Sequence, residues 1–341
     1  METAKPTKPR LRILSGVQPS GKLHLGNYFG AIKQHIELQE QNECFYFIAN
    51  YHALTTVREA AQKSAAGELM RQRTFDVAAD YLALGLDPAR AVFFRQSDVP
   101  EVTELAWILA TVTNMGLLER AVSFKEKVEK GIEASVGLFT YPVLMAADIL
   151  IYRSNVVPVG KDQVQHLEMT ADIAAKFNAA FGTKIFPIPT HRLDRESKVI
   201  GTDGQKMSKS YGNTIDIFAE GKPLEKVVMS IKTDSTPAGE PLNPDTCTVF
   251  ALYSLFANEE ERTALAADYR SGKIGGYGNA KKMLLAKIDS YFAPFHARRK
   301  ELVQERAGVE DILREGARKA RAVAQETMVL VRQATGLSFE K

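Results

Sequence analysis

The chain has 341 residues, more than a single compact core usually organises, so two domains are expected. Apolar residues make up 45% and charged residues 25%, the balance of a globular protein, while 44 Lys and Arg against 41 Asp and Glu leave a net charge of only +3. That balance excludes affinity for nucleic acid through bulk basicity but leaves room for a local basic face, and two cysteines, Cys44 and Cys247, exclude a disulfide framework or a cysteine-based metal cluster.

The opening "METAKPTKPR" is polar and broken by proline, so residues 1–10 are expected to form a loose arm with no signal-peptide core. "LRILSGV" follows as a strand. "LHLGNYFGAIKQHIEL" then carries Leu25, Phe29, Ile32 and Ile36 at helical spacing. "CFYFIA", "AVFFRQ" and "NVVPVG" are further buried-strand runs, separated by the helix-like "EAAQKSAAGELMRQRTFDVAADYLALG" and followed by the helical "QVQHLEMTADIAAKFN". Strands alternating with long helices predict an α/β fold with a Rossmann-like, doubly wound parallel sheet, whose ligands sit beyond the carboxyl ends of the strands.

Residues 100–138 read as a helical insertion, and Trp107 within them reads as core. "YPVLMAADILIY" is too short to cross a bilayer and contains Asp148, so a soluble, cytoplasmic protein without a membrane partner is expected. After about Asn213 the strand runs stop. Leu284, Ile288, Phe292 and Phe295 form an apolar stripe interrupted by Pro294, with Arg298, Arg299 and Lys300 as a basic cluster behind it. The predicted division is therefore a catalytic sheet domain over 11–215 and a C-terminal helical domain over 216–341.

Two stretches carry chemistry. In "SGVQPSGKLHLGNY" glycines bracket a strand-to-helix junction, where backbone can approach a ligand and a helix start near Leu25 points unpaired N–H groups at an anion. His24 and Asn27 lie on that first turn as donors, with Gln18 and Ser20 upstream. The stretch is neither a Walker loop nor a dinucleotide fingerprint. In "TDGQKMSKSYGN" Lys206 and Lys209 can set two mobile cations on a triphosphate, with hydroxyls from Ser208 and Ser210 beside them. Taken alone, each has a plainer explanation, a glycine-rich turn and a solvated lysine-rich turn.

The pairing of an HxGN-type loop with "KMSKS" resembles the class I aminoacyl-tRNA synthetases. "SGVQPSGKLHLGNYFGA", "TYPVLMAADIL" and "VPVGKDQVQH" are similar to the tryptophanyl branch found in bacteria, and the likeness runs from about Leu14 to the C-terminus. Asn27 stands where the wider class more often has His, as is usual in that branch. The segment "SKVIGTDGQ" before the second motif is shorter than in some members.

This resemblance implies ATP-dependent activation of L-tryptophan and transfer to tRNA(Trp). It implies ATP as substrate with Mg2+, no protein-bound metal, and a homodimer whose helical domain contacts the tRNA anticodon. Catalytic contacts fall to His24, Asn27, Lys206 and Lys209. ATP binding falls to Gln18, Pro19, Ser20, Gly26, Asn27, Gly160, Lys161, Asp162, Val199, Lys206, Met207, Ser208, Lys209 and Ser210. Tryptophan binding falls to Leu14, His52, Tyr141, Met145, Asp148 and Gln163.

Indole offers one polar atom, a donor N–H on an apolar plate, so a selective pocket needs apolar walls and one acceptor. If helical, "YPVLMAADIL" puts Tyr141, Met145 and Asp148 on one face, where the Asp148 carboxylate either accepts that N–H or serves the helix as a cap or ion pair. The rival activities are a tyrosyl-type synthetase, an enzyme adenylylating a small metabolite, and a non-catalytic relative that binds RNA or a partner.

Overall fold

The computed structural model describes residues 10–57, 65–121, 124, 125, 129, 134–193 and 199–339. The arm expected over 1–10 therefore lies, apart from Arg10, outside the described residues, as does most of 122–133 in the expected insertion.

The four predicted strands are present: β1 (Arg12–Val17), β2 (Glu43–Ile48), β3 (Ala91–Arg95) and β4 (Val156–Val159). A fifth, β5 (Thr190–Leu193), joins them in a wholly parallel sheet of order β3-β2-β1-β4-β5. Leu14 pairs with Phe45 and Ile13 with Val156, so β1 is central and the strand order reverses between β1 and β4. In such sheets that reversal opens the ligand crevice at the carboxyl ends of the strands.

The described helices are α1 (Leu25–Asn27), α2 (Lys33–Leu38), α3 (Asn50–Val57), α4 (Ala66–Ala83), α5 (Glu101–Ala110), α6 (Met115–Glu119), α7 (Val136–Ile151) and α8 (Val164–Ala180), then α9 (Gly221–Met229), α10 (Thr248–Ser254), α11 (Glu259–Arg270), α12 (Tyr277–Gln304) and α13 (Arg306–Thr335). A π-helical turn, Tyr28–Ile32, links α1 to α2.

By contacts the chain divides into two compact units that do not follow chain order: Met1–Gly21, His35–Asp194 and Glu305–Lys341 form the first, and Lys22–Gln34 with Arg195–Gln304 the second. This differs from a split at 215/216, because the last helix packs on the sheet.

In the first unit, both faces of the sheet bury apolar side chains, among them Phe45, Phe94, Leu105, Ile149, Tyr152 and Phe177, all 1–2% exposed or less. α13 buries Val309, Leu313, Ala317, Ala320, Ala324 and Met328, a stripe in which the alanines allow close approach. At Gly316 a Cβ would lie 1.8 Å from the Phe93 carbonyl oxygen, so this helix covers the edge strand β3 at backbone distance. Ion pairs Arg95–Glu310 (2.7 Å) near its start, Arg321–Glu101 (2.7 Å) at its middle and Arg332–Glu104 (2.5 Å) near its end tie it down.

Trp107 is a correction: it is 74% exposed. Val102, Leu105 and Leu109 on α5 are buried and define the inward stripe, and Trp107 projects off it.

In the second unit, Tyr28 and Phe29 enter an aromatic box of Phe256, Tyr291, Phe292 and Phe295, with Tyr28 and Tyr291 hydroxyls 2.9 Å apart. Leu284, Ile288 and Phe292 are buried as predicted, but α12 runs unbroken through Pro294. The basic cluster behind them is engaged. Arg298 pairs with Glu301 (3.0 Å), Lys300 with Glu220 (2.8 Å), and Arg299 lies over the Phe218 ring (4.9 Å).

Candidate functional site

In the first unit Gln18–Ser20 and Gly160–Gln163 follow the ends of β1 and β4, while the other candidates lie within β1, α3 and α7. Leu14 on β1 is 1% exposed within the core. Gln18, Pro19 and Ser20 form the turn after β1, with the Ser20 N–H on the Gln18 carbonyl at 2.8 Å. Gly160 precedes the 3-10 turn Lys161–Gln163 after β4 and accepts the Gln163 N–H at 3.0 Å; Lys161 is exposed, and the Asp162 side chain lies outside the described atoms.

α7 begins at Ser135, whose side chain accepts the Leu138 N–H at 3.2 Å, and it carries Tyr141, Met145 and Asp148. Asp148 is 3% exposed. Its Oδ2 accepts from His52 Nε2 at 2.8 Å, and Gln96 Nε2 lies 2.8 Å from Oδ1 and 2.9 Å from Oδ2. Burial pushes the Asp148 carboxyl above its ordinary range, while the His52 and Gln96 hydrogen bonds pull it back. The Tyr141 hydroxyl meets His166 Nε2 at 2.6 Å, and its ring lies edge-on to His52 at 6.3 Å. Met145 is half-buried against the core, and Gln163 is half-buried at the start of α8.

The second unit holds both motif loops. His24 starts the helix: its N–H donates to Asn27 Oδ1 at 3.1 Å, and its carbonyl accepts the Asn27 N–H at 2.8 Å. The strand-like segment around Asp216 runs antiparallel beside it, through Leu25 N–H to Ile215 O (3.0 Å) and Ile217 N–H to Leu23 O (3.1 Å). The Gly26 N–H points at the Met207 thioether, 3.4 Å away. The first-turn N–H groups are thus not unpaired, as the sequence led us to expect: the Asp216 segment, Met207 and the helix's own backbone take them. A Cβ on Gly26 would sit 2.9 Å from His24 Nδ1, so only glycine fits between imidazole and Met207.

Met207 is itself buried, and its N–H donates to the Val199 carbonyl at 2.9 Å. Asn213, 2% exposed, spans the loop: Nδ2 donates to Asp203 Oδ1 (2.7 Å) and the Lys206 carbonyl (3.1 Å), and Oδ1 accepts the Ser208 N–H (2.8 Å). Ser208 and Ser210 hydroxyls are 2.9 Å apart, and Lys206 and Lys209 are exposed. His24 is held down to about 4 by burial and then by the nearby Lys209 charge, with Asp216 opposing, so its ring is neutral at pH 7. His24 Nδ1 is buried and has no hydrogen-bond partner among the described residues.

Two loops 180 residues apart therefore meet in one unit, as the two motifs require. The family described as tRNA synthetases class I (W and Y) matches residues 5–293. A tryptophan--tRNA ligase of Rhodopirellula baltica is 54% identical over 96% of this chain and 100% of its own length. The chain belongs to the tryptophan--tRNA ligases.

A second member of this family, from Fusobacterium nucleatum, is 51% identical over 96% of this chain and 98% of its own. The crystal structure of the Campylobacter jejuni tryptophanyl-tRNA synthetase, complexed with ADP and tryptophan, superposes with a TM-score of 0.90 at 49% identity, covering 96% of this chain and all of that one. The class I synthetase fold, an α/β sheet unit with helices following it, is thereby the fold of this chain. Sequence reasoning missed Gln96, His166 and Asn213 in this family member. A polar residue ending the buried run "AVFFRQ" was the one available signal for Gln96; Asn213 stands three residues past the motif with nothing local to mark it.

Proposed function

We propose that the chain activates L-tryptophan with ATP and then charges tRNA(Trp), with the residues above in the following roles. The observation that best supports the nucleotide half is the Met207–Gly26 contact, which sets the lysine-bearing loop against the helix start that carries His24 and Asn27. ATP, entering as its Mg2+ complex, is held by Gln18, Pro19, Ser20, Gly26, Asn27, Gly160, Lys161, Asp162, Val199 and the loop Lys206–Ser210. The tryptophan carboxylate attacks the α-phosphorus in line and pyrophosphate leaves. Lys206 and Lys209 draw off its growing charge, while neutral His24 and Asn27 offer hydrogen bonds without adding a fixed cation. Little covalent work falls to the protein, so catalysis is positioning plus electrostatics.

Tryptophan binds at α7, its indole N–H on Asp148 between Leu14, His52 and Met145, its ammonium end on Tyr141 and Gln163. Transfer to the tRNA and anticodon contact by 216–341 follow the family. A homodimer is favoured by exposed Trp107, Met115 and Val136 on neighbouring helices of the first unit. Two free, buried cysteines suit a cytoplasmic home, and no described helix is long and apolar enough to cross a membrane.

Amino-acid-dependent ATP–pyrophosphate exchange tests the assignment. Exchange with tryptophan alone is expected; exchange driven by tyrosine, or by no amino acid, overturns it.

A further inference from the structure

We propose that Gln96 is a positioning residue that aims the Asp148 carboxylate and thereby sets selectivity for a ligand carrying an N–H donor. This rests on Asp148 being the indole acceptor.

Gln96 opens the 3-10 turn after β3, at the carboxyl end of a buried strand, and is 1% exposed. Its Oε1 accepts the Tyr51 N–H at 3.0 Å. That bond decides which way the amide faces: the NH2 group must point at Asp148, where it straddles both oxygens at 2.8 and 2.9 Å. His52, next to Tyr51 on α3, takes Oδ2. A reciprocal pair, Asn50 Nδ2 to Ser97 Oγ (2.8 Å) and Ser97 N–H to Asn50 Oδ1 (3.0 Å), staples the loops after β2 and β3 together beside it.

A carboxylate oxygen has two lone pairs. On Oδ2 both are used, by Gln96 and His52; on Oδ1 one is used, by Gln96. The remaining acceptor direction belongs to Oδ1, and the geometry assigns the indole N–H to it. Without Gln96 only the His52 bond restrains the carboxylate, which can then turn to offer its oxygens differently, or take a proton in its apolar surroundings and become a donor. An ionised carboxylate offers acceptors alone and favours an N–H strongly; a protonated one keeps only its carbonyl oxygen as a good acceptor, adds a donor, and discriminates less. The groups that bear on its charge are His52 from α3, Tyr141 about two turns before it and Tyr152 at the C-cap of its own helix, His166 of α8 behind Tyr141, and Glu101 of α5, which is paired with Arg321.

The test compares kcat/KM in pyrophosphate exchange for L-tryptophan and for its benzothiophene analogue, in which sulfur replaces the N–H. Gln96→Met keeps the shape and removes the donor. It is expected to lower the tryptophan-to-analogue ratio roughly tenfold or more while leaving kcat with the analogue within about threefold of wild type. Gln96→Glu can still donate when protonated. Its ratio is expected near the wild-type value at about pH 6 and at least about tenfold lower at about pH 8.5, where two carboxylates face each other. A Gln96→Met chain too unstable to assay leaves this pH profile to carry the test.

Asp148→Ala, which leaves no side-chain acceptor at this position, separates the two levels of the argument. If it keeps the wild-type ratio, the placement of indole on Asp148 fails. If it loses the ratio while Gln96→Met keeps it, or if the Gln96→Glu ratio is flat with pH, the role of Gln96 alone is overturned.

Discussion

Asp148 in the first unit is 3% exposed, with three hydrogen bonds closing around it, whereas Lys206 and Lys209 in the second stand in solvent on a loop held by backbone and by one asparagine. In the roles proposed above, the difference follows from what each must recognise. An indole N–H is a single weak dipole, and a donor that weak is read only in a dry, fixed setting, where leaving a polar atom unpaired is costly. A triphosphate is a large charge that changes during the reaction, and long cationic side chains follow it best from a loop that can move. On the proposed roles, selection is built by burial, and rate by charge kept mobile.

The sharpest way to break that contrast is to remove one element from each side and ask which kinetic constant moves. Lys209→Ala is expected to cut the exchange kcat by roughly 10²–10³-fold, with the KM for tryptophan unchanged. Loss confined to KM contradicts a transition-state role. Asp148→Ala is expected to do the converse, lowering the preference for tryptophan over phenylalanine at least about a hundredfold, read from the ratio of kcat/KM values. Unchanged preference removes Asp148 from the pocket.

Asn213→Ala sharpens the comparison by touching the loop's frame and not its charges. Losing the bonds to Asp203, Lys206 and Ser208 is expected to lower kcat about tenfold and to leave amino-acid preference as it was.

The smallest effect is one of acidity. The unfolded His24 ring takes its proton near 6.5, whereas the folded ring holds out to about 4. Between those values the unfolded chain binds more protons, so stability present above 6.5 is lost as the pH falls towards 4. Urea midpoints across that window are expected to fall less steeply for His24→Asn than for wild type.

How much of this was legible depended on whether a residue's partner is near it in sequence. β1 to β4 showed as unbroken apolar runs because both faces of a parallel sheet are covered. β5 did not, since Thr190, His191 and Arg192 on the sheet's edge are exposed and carry no apolar pattern. The two loops were legible because phosphate chemistry demands glycine and lysine in short spacings. Gln96 was not, because its partner lies 52 residues away and only the sheet order brings them together. Trp107 misled because its neighbours are apolar, yet Val102, Leu105 and Leu109 already mark a stripe that excludes it.

The thioether of Met207 acts as a weak latch between the motifs. Sulfur is a poor acceptor, so the Gly26 amide is parked and not committed. An oxygen anion is the stronger acceptor, so a nucleotide bound as proposed would take this N–H from the thioether at little cost. An oxygen acceptor in that position would grip the amide harder and make the nucleotide compete for its own seat.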